Sequence, residues 1–228
     1  IMRKGQSTLR LCCKSTVINK EVNDEDNIVS FSDNILLKES EVAECMGYDL
    51  DDFQLKCLEV LNKDKDLFCT APTGSGKTTV AMMGILKAFN SGKRAIFSSP
   101  IKALSNEKYA DFYKRLNGRV SLLTGDMKVR CSPPGGDGAP ELLIMTAEIL
   151  RNKLNINNDL DLKNVSMLIV DECHYISDSD RGPVWEETLL SLPKHISVVS
   201  LSATLSSPED FSKWLSKRRK TICVQHHE

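Results

Sequence analysis

The chain predicts an α/β domain, with a mostly parallel sheet and helices on both of its faces. Three observations point there. Short apolar runs alternate with amphipathic stretches along most of the chain. A glycine-rich turn joins one such run to a helix-like stretch. Two adjacent carboxylates close another run.

The strand expectations are 67–70, 94–99, 119–123, 142–146, 166–170, 196–201 and 221–224. Helices are expected from near Asp52, where Phe53, Leu55, Leu58, Val60 and Leu61 recur, and near 77–90, 102–116, 147–154, 184–191 and 208–217. Residues 130–140, Arg-Cys-Ser-Pro-Pro-Gly-Gly-Asp-Gly-Ala-Pro, can be neither helix nor central strand and read as a mobile surface loop. Residues 1–45 begin basic and turn acidic, and read as an N-terminal extension of uncertain order, with the folded domain spanning 46–228.

Composition narrows the class. The 228 residues carry a formal net charge of −1, which gives no general electrostatic argument for nucleic acid but leaves room for a local basic groove. No apolar run approaches a membrane span, so no membrane association is expected. The eight cysteines follow no zinc-type or disulfide spacing, and Cys69 and Cys223 sit in apolar strand-like runs. A reduced intracellular compartment is expected: cytoplasm, nucleus or an organelle.

The chemistry concentrates at two turns. Ala71-Pro72-Thr73-Gly74-Ser75-Gly76-Lys77-Thr78 lies between the run Leu67-Phe68-Cys69 and a helical pattern. Strand, glycine loop and helix form the setting of a phosphate-binding P-loop. Gly74 and Gly76 let main-chain N–H groups turn inward, and the helix N-terminus adds partial positive charge. Lys77 would reach the outer phosphates and Thr78 would ligate Mg²⁺; Thr79 completes the nucleotide-binding set. Ala71 stands where the general pattern has glycine.

Asp171-Glu172-Cys173-His174 follows the run Met167-Leu168-Ile169-Val170. Adjacent carboxylates at a buried strand end are unfavourable unless a cation offsets them. ATP with Mg²⁺ does so: Asp171 would hold the metal and Glu172 would position and activate a water.

Further segments narrow the choice. They are Ser99-Pro100-Ile101-Lys102-Ala103-Leu104-Ser105-Asn106, Thr124-Gly125-Asp126, Thr146-Ala147-Glu148, Arg181-Gly182-Pro183-Val184-Trp185-Glu186-Glu187 and Leu201-Ser202-Ala203-Thr204-Leu205. With the P-loop and the acid pair, their order resembles the motifs of superfamily-two helicases. The first and fourth resemble the Ski-like DExH RNA helicases in particular. The resemblance covers roughly residues 48–225.

It implies a RecA-like P-loop NTPase domain: the ATP-binding half of an ATP-dependent RNA helicase. It further implies ATP and Mg²⁺ as cofactors, single-stranded RNA as partner and association with RNA-degradation machinery. A second RecA-like domain, which supplies arginine fingers, has no counterpart in this chain. The chain therefore reads as a first domain alone, weakly active or inactive by itself. A DNA translocase of the same superfamily, or a non-catalytic nucleotide-dependent binding module, stays open as an alternative.

The resemblance also assigns roles. Tyr48 and Phe53 match aromatics beside adenine, with helix-entry packing as the other reading; Gln54 matches the residue that reads the adenine edge, where an amide offers both donor and acceptor. His174 corresponds to the histidine linking the acid pair to other motifs, or is a packing histidine. Ser202, Ala203 and Thr204 match the motif coupling nucleotide state to strand separation. Nucleic acid would meet Pro100, Ile101, Lys102, Thr124, Gly125 and Thr146, as backbone contacts that read no sequence. Asp126 and Glu148 read as loop braces, and Arg181 and Trp185 as structural. The run Lys217-Arg218-Arg219-Lys220 reads as a solvated helix end or a further nucleic-acid contact.

Overall fold

The computed structural model describes residues 36–131, 139–155, 162–179, 182–203, 208–217 and 219–226. All of them belong to one compact unit, 34–228. Its centre is an eight-stranded sheet. In chain order the strands are β1 (Asp66–Thr70), β2 (Arg94–Ser99), β3 (Val120–Leu123), β4 (Lys128–Val129), β5 (Leu142–Thr146), β6 (Val165–Val170), β7 (Ser197–Ser202) and β8 (Thr221–Gln225). They lie side by side as β4-β3-β5-β2-β6-β7-β1-β8, and only the β3–β4 pairing is antiparallel.

The helices are α1 (Glu39–Met46), α2 (Asp52–Asn62), α3 (Lys77–Asn90), α4 (Lys102–Arg115), α5 (Ala147–Asn155), α6 (Gly182–Ser191) and α7 (Pro208–Ser216). Parallel strands buried on both faces must be apolar almost throughout, which is why they show as continuous runs. Successive side chains still alternate between faces. Met167 and Ile169 of β6 enter a core under α1–α4, whereas Leu168 and Val170 enter a second core under α5–α7. None of these helices is long and apolar enough to cross a membrane.

Upstream, the packed fold reaches beyond the boundary expected at residue 46. Val42 of α1 is buried, as is Leu37 just before it. Asn62 clamps Leu37 through both main-chain groups, accepting from its N–H and donating to its carbonyl, each at 2.9 Å. Burying two such side chains contributes roughly 1.5–3 kcal/mol each. The expected loop at 130–140 lies mostly outside the described residues. Its flanks are pinned: Glu141 Oε2 accepts from Ser121 Oγ at 2.8 Å and from Cys131 Sγ at 3.0 Å.

The order of strands places the site. The C-terminal ends of β1, β7 and β6 are neighbours, and those of β2, β5 and β3 continue along the same edge. That edge carries the P-loop, the acid pair and the described parts of the segments that follow β2, β3, β5 and β7, in two adjoining halves.

Candidate nucleotide site and nucleic-acid edge

The P-loop leaves β1 at Ala71 and enters α3 at Lys77. Gly74 and Gly76 have φ of 90° and 83°, in the left-handed region where a side chain is unfavourable. Gly76 has a second constraint, because a Cβ there would collide with Gln54 Nε2. Gln54 is held in that place by the start of α2. Its Oε1 accepts from the Asp51 N–H at 3.2 Å and its own N–H donates to Asp51 Oδ1 at 2.8 Å, a reciprocal cap. The Lys77 ammonium donates to the carbonyls of Ala71 and Pro72, both at 2.8 Å. Ser75 Oγ donates to the Pro72 carbonyl at 2.7 Å.

Asp171 follows β6, two strand positions from β1 with β7 between them. That separation is roughly 10 Å at ordinary strand spacing, room for a phosphate group and a cation. Asp171 is only 6 % exposed, and its N–H donates to the Ser98 carbonyl at 2.8 Å. Burial pushes its carboxyl above the ordinary aspartate range; the Lys108 ammonium pulls it back, Glu172 pushes it up again and Lys77 lowers it.

Glu172 has a φ of 50°, unusual for a residue with a Cβ. The turn redirects the chain into a 3₁₀ segment, Cys173–Ser177, and sets the two carboxylates apart in direction. Glu172 Oε2 and His174 Nδ1 are buried and face one another at 3.3 Å, an ion pair whenever the imidazole carries its second proton. Cys173 is fully buried, and burial raises its thiol despite the neighbouring Ser202 hydroxyl.

The end of β7 braces the P-loop. The Ser202 carbonyl accepts from the Ala71 N–H at 3.2 Å, and the Ala203 carbonyl accepts from Thr70 Oγ1 at 3.0 Å. Ser202 and Ala203 thus join the P-loop through main-chain carbonyls, while Thr204 lies outside the described residues. Arg181 does too. Trp185 is buried in the second core, in line with a structural part. Gly182 is required next to it, because a Cβ there would strike the Ile176 carbonyl.

Two expectations on the base side separate. Tyr48 is 46 % exposed, and its hydroxyl is 2.5 Å from Thr79 Oγ1, so the ring stands free beside the start of α3. Phe53 is only 5 % exposed and belongs to the first core, packed 4.9 Å from the His226 ring. The packing reading holds for Phe53, which has no free face for a base. Thr79 is fully buried and braces Tyr48 through its hydroxyl.

The other half of the edge is more open. Lys102 is exposed at the first turn of α4, lies over Gly125 and pairs with Asp126 at 2.6 Å. Gly125 and Asp126 are exposed, and Ile101 is half-buried. Pro100, Thr124 and Thr146 are buried, so little of their side chains is open to a strand. Thr124 Oγ1 accepts from the Met127 N–H at 3.1 Å, a turn that fixes the loop. What these three residues can offer a strand is backbone.

The basic run near the chain end also needs correction. Arg219 is bound to Asp66 Oδ2 at 2.5 Å and donates to the Ile196 carbonyl, while Asp66 Oδ1 accepts from the Val198 N–H at 2.9 Å. This clamp sits at the N-terminal ends of β1 and β7, opposite the functional edge. Arg219 is structural, and Arg218 lies outside the described residues.

One residue has no counterpart in the motifs. Lys108 Nζ donates to Thr78 Oγ1 at 3.0 Å and its charge acts on Asp171. Its signal in the sequence was spacing: it stands three residues after Ser105, whose buried hydroxyl meets Ser99 Oγ at 2.7 Å, and so shares the inward face of α4.

The family model for the DEAD/DEAH box helicases matches residues 51–211. The chain belongs to that family. The antiviral helicase SKI2 of Saccharomyces cerevisiae is 38% identical over 184 residues, 80% of this chain and 14% of the relative. The DExH-box ATP-dependent RNA helicase DExH9 of Arabidopsis thaliana is 35% identical over 212 residues, 91% of this chain and 20% of the relative. Among solved structures, the Mycobacterium smegmatis helicase Lhr bound to ssDNA and AMP-PNP superposes with a TM-score of 0.63 at 25% identity, over 77% of this chain and 25% of that one. The chain thus spans a fifth or less of these curated relatives' length.

Proposed function

We propose that this domain is the ATP-binding half of an ATP-dependent RNA helicase of the Ski-like DExH group. The observation that carries the reading is the meeting of Lys77 and Thr78 with Asp171 and Glu172 across β7. The donor set fits a Mg²⁺–ATP complex: a hydroxyl and a buried carboxylate for the cation, and for phosphate an ammonium beside a glycine loop that opens α3. Thr78 and Asp171 would hold Mg²⁺, which when bound neutralises phosphate charge. Glu172 orients the attacking water and accepts its proton, with His174 on its far oxygen. Gln54 and Tyr48 receive the base.

RNA is favoured by the named activity of the Arabidopsis relative. Association with RNA-degradation machinery is the extension that the resemblance to the Ski-like group implies. A second RecA-like domain in the full-length protein would complete the cleft, and such a domain's arginine can contribute ~10³–10⁵ in rate. The isolated domain should therefore turn over slowly. The six free thiols among the described residues suit a reducing compartment.

The test is Lys77→Ala in the full-length protein. Most RNA-stimulated ATP hydrolysis should disappear; unchanged turnover would refute the P-loop assignment. The DNA reading is favoured by one observation, the ssDNA-bound relative. Stimulation by matched RNA and DNA oligomers separates the two.

A further inference from the structure

Helix α4 begins in the nucleic-acid half of the edge and reaches the nucleotide half. Lys102 stands on its first turn and Lys108 lies six residues on, about 9 Å along the axis. The base of α4 is anchored by the buried Ser105–Ser99 pair, so the helix cannot roll freely. From that anchored face the Lys108 ammonium donates to Thr78 Oγ1 at 3.0 Å and acts on the buried Asp171 carboxylate.

We propose that Lys108 is a tethered counter-cation that competes with the divalent ion for Thr78 and Asp171, so that entry of a metal–nucleotide complex detaches α4 from α3. The inference rests on the reading of Thr78 and Asp171 as the metal-facing pair. An ammonium has donors only. Its bond to Thr78 uses a lone pair of the oxygen that a cation would coordinate. A divalent ion on that oxygen would face the ammonium within a few ångströms, and two like charges at that distance repel. One must leave. Lys108 has a flexible four-carbon stem and can swing away, whereas Thr78 and Asp171 are fixed by α3 and β6.

The release matters because of where α4 leads. Its first turn carries Lys102, which holds the exposed Gly125–Asp126 loop. Filling the nucleotide site would release the middle of a helix whose first turn contacts the Gly125–Asp126 loop. Reciprocity then requires a strand that pulls on α4 to favour the metal-bound nucleotide.

A phosphate-binding lysine would behave oppositely, so one measurement decides. Binding of a fluorescent ADP analogue to the full-length protein is measured in Mg²⁺ and in EDTA, for wild type, Lys108→Met and Lys108→Arg. Competition predicts that Lys108→Met increases the ratio of Mg²⁺ to EDTA affinity by about three- to tenfold, the range of one charge-assisted contact, while Lys108→Arg keeps the wild-type ratio. An unchanged ratio, or equal loss of affinity in both conditions, overturns the inference. Absence of any Mg²⁺-dependent nucleotide binding by the wild type overturns the nucleotide reading instead. Should Lys108→Met fail to fold by thermal melting, Lys108→Gln removes the same charge and is read the same way.

Discussion

The two halves of the functional edge are built differently. Under β6, β7 and β1 the reacting groups are buried or half-buried, braced by backbone hydrogen bonds and set on constrained backbone: Asp171 at 6 % exposure, Glu172 at φ 50°, and Gly76 against Gln54. Under β3, β5 and β2 the exposed groups are few, and a single ion pair, Lys102–Asp126, organises them. Chemistry on a phosphate needs charges fixed in place before the substrate arrives. Holding a strand by its backbone needs donors that tolerate many sequences and let go. Rigidity on one side and exposure on the other follow from those two demands.

Breaking the rigid half should have the largest effect. Glu172→Gln removes the proton acceptor and keeps the shape. Turnover should fall by about 10²–10⁴ with nucleotide binding retained, measured by steady-state kinetics beside fluorescent-nucleotide titration. Loss of binding in parallel would show that Glu172 serves structure instead.

Gly76→Ala comes next. It combines a left-handed φ with a collision against Gln54, and should cost about 1–2 kcal/mol of local strain, seen as weaker nucleotide binding and a lower melting temperature. Pairing it with Gln54→Ala relieves the collision but not the φ, so affinity should recover only in part.

Asp171→Asn sharpens the contrast in another way. Its folded pKa is raised, so above that value the buried charge opposes folding, and the cost disappears as pH falls below the unfolded value near 4. The amide removes the cost and still accepts from the Glu172 N–H, a 3.0 Å bond in the wild type. Melting temperature should rise at pH 7–8, and the gain should shrink toward pH 4 while Mg²⁺-dependent turnover is lost. A gain that persists undiminished at acid pH would mean that the charge was not its source.

The open half should respond most gently. Lys102→Ala should weaken strand binding several-fold, alike for all sequences, and reduce the dependence of log affinity on log salt by about one unit or less. Sequence-dependent loss would overturn the backbone reading.

This same division explains what could be read from residues alone. Strands 94–99 and 142–146 and helix 77–90 coincide with the expected spans, because buried parallel strands are apolar throughout and a P-loop fixes where its helix starts. Helix α1 escaped notice because Glu39, Glu41 and Glu44 dominate it; it is held by docking and by the Asn62 clamp, which lies 25 residues away from Leu37. Of the two readings open for Phe53, packing is the one its pattern supports: Phe53, Cys57 and Leu61 recur at i, i+4, i+8 and are all buried. The open half was legible only as segments. Burial of Thr124 and Thr146 depends on turns and neighbours that no local pattern encodes. Lys108 looks like any lysine on an amphipathic helix until α4 is laid beside α3.

On the proposed function the two halves act together, with strand binding at β3, β5 and β2 governing ATP turnover at β6, β7 and β1. ATP hydrolysis by the full-length protein, titrated with single-stranded RNA, tests it most directly. The account predicts turnover that rises with RNA to a plateau, with Lys102→Ala shifting the half-saturating RNA concentration upward and leaving the plateau near that of wild type. Turnover indifferent to added strand would contradict it.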